Sequence, residues 1–391
     1  MNENAFIQTC YDAFLKDLQA LVSVDCGTHN KAGVDQVGGW VGERCAAWGW
    51  AVERISQREF GDLWKASIRG QGSGRLVLLG HLDTVYPEGT AAARPMRLEG
   101  QKLLGPGVCD MKGGLLVGMY ALRALQQAGF ANFEEITFFF NSEEEIGSPV
   151  SEPIYLAEVQ KADAALVLEA ARANGNIVSA RKGSGTYRIF ITGHAAHAGV
   201  EPEKGINAVV ELCQRVSALQ GLNGIAPGVT VNVTLIGGGT ATNAIPDSAW
   251  LALDVRAADQ TGAQAVHQAL TELAGRPSSI PGARARLEGA FRFPPMERTP
   301  AVAFLAGIAL QVAAEQGLQI GESSTGGASD ACPISAAGVP VLDGLGPVGG
   351  LDHSPEEYIL QASILPRTTL LAGLIRRIFA EREPLAELRR S

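Results

Sequence analysis

The stretch Arg75-Leu-Val-Leu-Leu-Gly-His81-Leu-Asp83-Thr-Val-Tyr-Pro87, continued by Gly105-Pro-Gly-Val-Cys-Asp110-Met-Lys-Gly-Gly114, decides how the chain reads. Leu76 to Leu79 form a short, unbroken apolar run, the pattern of a parallel strand buried on both faces. His81 and Asp83 follow at once, and chemistry in open α/β sheets collects just beyond the carboxyl ends of strands. A histidine there can ligate a metal through one ring nitrogen. Asp83, two residues on in extended chain, projects to the same side and suits a carboxylate that fixes the histidine tautomer. Asp110 lies in a Gly/Pro-rich turn before an apolar helical stretch, where its carboxylate could bridge two metals. Taken alone, each of these residues would also serve as an ordinary satisfied histidine or loop aspartate.

The pattern repeats outward from there. Glu135–Phe140 reads as a strand running into Asn141-Ser-Glu143-Glu144-Glu145-Ile-Gly147-Ser148, and the apolar Ala164–Leu168 runs into Glu169. Three carboxylates in a row would suit a solvated helix start. Three successive strands ending in His81, Glu143–Glu145 and Glu169 are harder to explain by solvation. Upstream, residues 4–23 and Val34–Trp48 show helical spacing. Residues 51–70 suggest strands, with Gln71-Gly-Ser-Gly74 as a hairpin-type turn. Lys112–Gln127 reads as a helix closed by Gly129.

Near residue 180 the texture changes. Strand Tyr187–Thr192, the run Gly193-His194-Ala-Ala-His197-Ala-Gly199, a helix over 203–220, strands Val229–Ile236 and Trp250–Val255, and a helix over 260–275 follow in turn. This β-α-β-β-α-β order predicts a ferredoxin-like α+β insert over 182–292. It interrupts an α/β catalytic domain, 1–181 and 293–391, with a mixed, largely parallel sheet. The last section adds a helix over 300–317, the run Thr325-Gly-Gly-Ala-Ser-Asp330 opening a short helix, strand Gly338–Leu342, Leu351-Asp-His353-Ser354, and a closing helix over 360–381. His29, His194 and His267 read as solvated side chains.

Composition narrows the function classes. The 391 residues exceed the usual single core, so two domains are expected. A net charge of −9 argues against nucleic acid as a partner. The first residues, Met1–Ile7, carry no basic n-region, and no apolar run reaches membrane-spanning length. Six cysteines without CxxC spacing read as reduced thiols. The expectation is a cytoplasmic protein with no membrane partner. Cys109 is expected to pack rather than react.

Four islands, Gly80-His-Leu-Asp-Thr-Val85, Gly107-Val-Cys-Asp-Met-Lys-Gly-Gly114, Glu143-Glu-Glu-Ile-Gly-Ser148 and Leu351-Asp-His-Ser354, together resemble the cocatalytic zinc peptidase and aminoacylase family. That family includes carboxypeptidase G, acetylornithine deacetylase and succinyl-diaminopimelate desuccinylase, and the resemblance runs over nearly the whole chain. It implies two Zn²⁺ per subunit, with Co²⁺ or Mn²⁺ as substitutes: one on His81, Asp110 and Glu169, the other on Asp110, Glu145 and His353. It makes Glu144 the general base and Asp83 the partner of His81. It implies a cis peptide after Asp110, and a supporting role for Glu143, where relatives often carry Asp. His197 matches a histidine that stabilises the tetrahedral oxyanion, reaching across a homodimer formed by the insert, which also acts as a lid. Asn243 and Arg256 match residues that hold the substrate carboxylate, and Arg292 matches a basic residue of the glutamate carboxypeptidases. A lysine expected after Glu169 is missing, with Asn174-Gly-Asn176 in its place, leaving Arg181 or Lys182 as substitutes. The implied substrate is a small N-acyl amino acid or peptide, and the implied product a C-terminal amino acid, glutamate first. An acetylornithine deacetylase or desuccinylase type of deacylase is the alternative, and a catalytically silent binding relative the remote one.

Overall fold

The computed structural model describes residues 3–390, which form two compact units. The first takes the chain up to Ala180, Arg298–Ser324, and the residues from Ser329 on. Its sheet holds β1 (Ala51–Ile55), β2 (Leu63–Arg69), β3 (Arg75–His81), β4 (Glu135–Asn141), β5 (Ala164–Val167) and the short strand Val341–Leu342. They lie side by side in the order β1-β2-β4-β3-β5 and then Val341–Leu342. The β1–β2 and β2–β4 pairs are antiparallel, and the rest are parallel. The parallel strands are the continuously apolar ones because both their faces are covered: after its first residue β3 is buried throughout, and so is β4. The mixed, largely parallel sheet is the one expected.

Two local expectations change. Gln71–Gly74 does not close a hairpin, since β4 lies between β2 and β3. The amides of Gln71 and Gly72 bond instead to the carbonyls of Ala131 and Phe133, on the segment leading into β4. Turn chemistry reports that the chain bends, and burial decides which strand takes the central place. The N-terminal helix is two helices, Glu3–Thr9 and Tyr11–Val22, parted at Cys10.

The helix α1 (Gly113–Gln127) is buried along most of its length. Its first turn comes close to the end of β5: a Cβ on Gly114 would stand 1.9 Å from the carbonyl oxygen of Leu168. Glycine there lets the Asp110 turn pack directly against the strand end that carries Glu169.

The second unit is Arg181–Glu297 with Thr325–Ala328. Its strands β6 (Gly183–Thr192), β7 (Thr230–Gly238), β8 (Ser248–Ala257) and β9 (Arg284–Phe293) form an antiparallel sheet in the order β7-β8-β6-β9. Helices α2 (Ala208–Gln220) and α3 (Gln260–Gly275) complete the β-α-β-β-α-β order. Alternate residues of β6 turn inward, and Tyr187, Ile189 and Ile191 meet Leu212, Leu253 and Leu270 in one core. Asn207 and Asp259 cap the two helices by accepting from the amides of Val210 and Gly262, at 3.1 and 2.7 Å. The segment Thr325–Ala328, which the sequence reading leaves with the catalytic domain, joins this unit through backbone carbonyls. Thr325 accepts from the Lys182 amide at 3.0 Å, and Gly327 from Arg181 Nη1 at 3.1 Å.

Candidate metal centre

The register of the sheet builds the centre. His81 pairs with Asn141 across β3 and β4, and Leu79 pairs with Val167 across β3 and β5. The carboxyl ends of three adjacent parallel strands therefore present His81, the Glu143–Glu145 turn and Glu169 together. The turn at Val108–Lys112 adds Asp110, with a cis bond between Asp110 and Met111. His353 arrives from a loop near the carboxyl end of the chain, with a positive φ of 63°.

Asp110 stands between two clusters. Its Oδ1 is 2.9 Å from His81 Nε2, which also lies 3.5 Å from Glu169 Oε1. Its Oδ2 is 3.1 Å from His353 Nε2, which lies 3.2 Å from Glu145 Oε2. The candidate ligand atoms of His81, Asp110 and Glu169, and likewise of Asp110, Glu145 and His353, fall within 4.8 Å of one another. One carboxylate thus turns one oxygen to each cluster, as a bridging ligand would. The donor set fits a pair of divalent cations. It offers imidazole nitrogen and carboxylate oxygen in each cluster, the mixture that catalytic zinc takes. Moreover, Glu145 Oε1 is buried with no hydrogen-bond partner among the described residues, a place that an ion or an ordered water would satisfy.

The carboxylates crowded into this pocket draw protons to themselves and to the two histidines. Burial pushes the His81 imidazolium down, but Asp110, Asp83 and Glu169 outweigh it and hold its pKa well above the usual range. For His353, hydrogen bonds to Asp110 and Glu145 raise the pKa to about 10. Burial, reinforced by the charge of Asp110, lifts Glu169 to about 7. Glu144 is pushed well up, first by burial and then by Asp330, Glu169 and Glu145, with His81 pulling the other way.

Around these residues lies a layer that orients them. His81 Nδ1 faces Asp83, 3.0 Å from its carbonyl and 3.3 Å from its Oδ1, leaving Nε2 toward Asp110. Asp83 also accepts from Thr28 Oγ1 at 2.6 Å and from the amides of Glu144 and Glu145 at 3.2 and 3.3 Å. It therefore holds both the histidine and the turn that carries Glu144. Glu143 points away from the centre. It accepts from the Val150 and Ser151 amides and from the Ser142 and Ser151 hydroxyls, tying the turn to the helix Ser151–Val159.

Sequence reasoning missed two buried carboxylates. Asp330 accepts from Asn141, Ser148 and Tyr155, and burial lifts it to about 6. Its only signal was a Gly-Gly-Ala-Ser-Asp run opening a short helix. Glu357 accepts from three amides of the Asp110 turn. Its only signal was nearness to His353 in sequence.

In the second unit, His197 and Asn243 are neighbours and both exposed: Ala196–His197 pairs with Ala244–Ile245, and the Asn243 carbonyl accepts from the Ala198 amide at 2.9 Å. The amides of Gly199 and Val200 donate to His197 Nδ1, each at 3.1 Å. The ring proton of the neutral imidazole is thereby placed on Nε2, making that atom a donor. Arg256 lies at the other end of β8, about 26 Å along the strand from Ser248 at roughly 3.3 Å per residue. Its guanidinium is paired with Asp254, with Nη2 to Oδ2 at 2.8 Å. Arg292 is exposed at a bulge in β9, between Phe291 and Phe293, and Phe293 pairs with the same Ser184 as Arg256. The two arginines thus share one end of the sheet, and His197 and Asn243 share the other. Arg181 is buried, with Nη1 toward the Gly327 and Ala328 carbonyls, while Lys182 is half-buried. His267 is not merely solvated, since its Nδ1 meets the Tyr187 hydroxyl at 2.9 Å.

A mixed, largely parallel α/β body with a two-cluster His/carboxylate centre and an inserted α+β unit has the donor set of a metal-dependent hydrolase. Residues 77–377 match the model of peptidase family M20/M25/M40, and the chain belongs to that family. It is 32% identical over 378 residues to carboxypeptidase G2 of a Pseudomonas species, covering 95% of this chain and 91% of that one. It is 30% identical over 365 residues to a succinyl-diaminopimelate desuccinylase of Methylorubrum populi, covering 87% and 92%. The fold superposes on the Bacillus subtilis YXEP protein, a dinuclear metal-binding peptidase of the M20 family, with a TM-score of 0.73. That alignment has 16% identity and covers 95% of this chain and 99% of the other. Among the described residues no helix is long and apolar enough to cross a membrane.

Proposed function

We propose that the protein is a dizinc hydrolase that releases a C-terminal amino acid, glutamate in the first place, from a small N-acyl amino acid or peptide. The observation that carries the reading is Asp110, one oxygen to each His/carboxylate cluster, with Glu144 beside both. Cations bound by His81, Asp110 and Glu169 and by Asp110, Glu145 and His353 would supply Lewis acidity to the attacking water and the scissile carbonyl. Co²⁺ or Mn²⁺ would serve in place of zinc. Glu144 takes a proton from the water as its oxygen attacks the carbonyl carbon. It returns that proton to the leaving nitrogen as the C–N bond breaks, giving an amine and a carboxylic acid that then loses its own proton to solvent. Asp83 keeps His81 Nε2 turned to the centre. His197 Nε2–H donates to the oxygen that gains charge in the tetrahedral state, and Asn243, Arg256 and Arg292 hold the carboxylate of the released amino acid.

Several features support the finer points. Similarity to carboxypeptidase G2 and the shared position of Arg256 and Arg292 favour an acidic leaving amino acid. A cleft of about 560 Å³ beside Glu145 is bordered by Thr28, His29, Val85, Tyr86, Glu88 and Ile146. With no Lys or Arg in its lining among the described residues, it suits an uncharged acyl group better than a succinyl group. Against glutamate stands Arg181, whose guanidinium is engaged with backbone carbonyls. The desuccinylase likeness therefore keeps a second reading, an N-acyl amino acid deacylase of the acetylornithine deacetylase or desuccinylase type. We further propose a cytoplasmic homodimer. None of the six cysteines forms a disulfide. The edge strand β7 exposes Leu235 and Ile236 at 57% and 58%, a surface that a second copy would cover. His197 and Arg256, at opposite ends of one sheet, meet on one substrate more readily when they come from different copies.

The test is amino-acid release from N-acyl amino acids and dipeptides varied at the C-terminal residue, on zinc-loaded protein. Preference for Glu supports the first reading, and preference for a basic residue the second. No release with two metals bound would leave only a silent binding relative.

A further inference from the structure

We propose that Glu357 is a positioning residue that fixes Asp110 relative to His353 and so sets the affinity for the cation of the Asp110, Glu145 and His353 cluster. The proposal rests on reading those three residues as ligands.

Glu357 is 1% exposed, and its carboxylate is fully used. Oε1 accepts from the amides of Cys109 at 2.8 Å and Asp110 at 3.0 Å. Oε2 accepts from the Gly107 amide at 2.9 Å and the Tyr86 hydroxyl at 2.7 Å. Three amides of one short turn converge on a single carboxylate, the kind of anion-holding concavity that successive backbone N–H groups form when a residue adopts positive φ. Gly107, at φ 73°, provides that conformation. About four lone-pair sites are available on a carboxylate, and four donors occupy them. Glu357 is left with no capacity to ligate or to move a proton in the reaction.

Its place in the chain gives the cradle its use. Glu357 stands four residues after His353, so the Asp110 turn is hydrogen-bonded to the very loop that brings the second histidine. Tyr86 extends the tie to the segment after His81: its hydroxyl also lies 2.9 Å from the Ser354 carbonyl. The two clusters differ in how they are built. His81 is on a central strand and 1% exposed, whereas the His353 side chain is 55% exposed on a loop where Leu351 and His353 both have positive φ. Loosening the tie leaves His81 and Glu169 on their strand ends and frees His353 to drift from Asp110. The loss therefore falls more heavily on the cation of His353 than on that of His81 and Glu169.

The test compares wild type, Glu357→Gln and Glu357→Ala by Co²⁺ titration. Bound cobalt is measured by equilibrium dialysis, and the visible absorption of each equivalent is recorded. Wild type is expected to bind two ions. In Glu357→Ala the second should weaken about tenfold or more, the range typical for residues that orient ligands, with the first changed far less. Glu357→Gln should fall between. Its amide oxygen can still accept from Cys109 and Asp110, but its NH2 group faces the Gly107 amide. Variants that match wild type at both ions, or that weaken both equally, would overturn the positioning role, and Glu357→Gln decides the matter if Glu357→Ala does not fold. A wild type that binds a single ion overturns the ligand reading, and this proposal with it.

Discussion

Replacing Glu143 separates two kinds of loss in one buried site. Its carboxylate accepts four hydrogen bonds: from the Ser151 and Val150 amides at 2.6 and 3.2 Å on Oε1, and from the Ser142 and Ser151 hydroxyls at 2.5 and 2.8 Å on Oε2. In Glu143→Gln the amide oxygen can keep both backbone amides, and the NH2 group can donate to hydroxyls that rotate to accept. All four contacts survive, and only their charge assistance goes. That loss is offset by no longer burying a charge, so the net change should be about 1 kcal/mol or less. In Glu143→Ala the hydroxyls can turn elsewhere but the two amides cannot. At about 1–3 kcal/mol for each donor left unsatisfied, the cost for the two should be about 2–6 kcal/mol. Urea unfolding followed by tryptophan fluorescence reads this directly. Trp40, Trp48, Trp50 and Trp64 lie in the first unit and only Trp250 in the second. A Gln variant as unstable as the Ala variant, or an Ala variant within about 1 kcal/mol of wild type, would refute the assignment of Glu143 as a hydrogen-bonded tie.

Other predictions test the chemistry, the electrostatics and the assembly. Glu144→Gln should lower kcat by about 10²–10⁴ with both metals retained, as expected for loss of a general base. Unchanged turnover would remove Glu144 from that role. Burial opposes ionisation of Asp62, but Lys31, the Gln57 amide and Arg54 outweigh it and hold its pKa at about 2. An unfolded aspartate takes up its proton near pH 4, so between about pH 4 and 2 the unfolded chain binds more protons and stability falls as pH falls. Because Lys31 and Arg54 are partly solvated, the contribution above pH 4 should be about 1–2 kcal/mol. Asp62→Asn should lose it at pH 7 and converge on wild type toward pH 2, and a difference constant with pH would contradict this account. Leu235→Lys together with Ile236→Glu should convert a dimer to a monomer by sedimentation. If wild type already sediments as a monomer with full activity, the homodimer reading fails.

How much was legible in the amino-acid sequence follows from the range of each interaction. The places of His81, Asp83 and Glu169 were legible because strand ends are local: an apolar run stops, and the next polar side chain emerges at the edge of the sheet. Burial on both faces makes the middles of β3, β4 and β5 almost wholly apolar, so their existence and type were written into short windows. The insert was readable for the same reason, because β6 alternates and both of its helices carry caps. Sheet order was not. Gln71–Gly74 has the residues of a hairpin turn, yet β4 enters between β2 and β3, a choice made by pairing over more than fifty residues. The ties that orient the centre are equally remote: Glu357 reaches Gly107 across 250 positions, and Asp330 reaches Ser148 across 182. A single acidic residue in a loop carries no local mark of the amides it will meet. The sequence by itself determined where strands would end and which polar side chains would stand at those ends. Only the tertiary structure decided that Asp110 turns one oxygen to each cluster, because that depends on the packing of α1 against β5 and on the loop that returns from the far end of the chain.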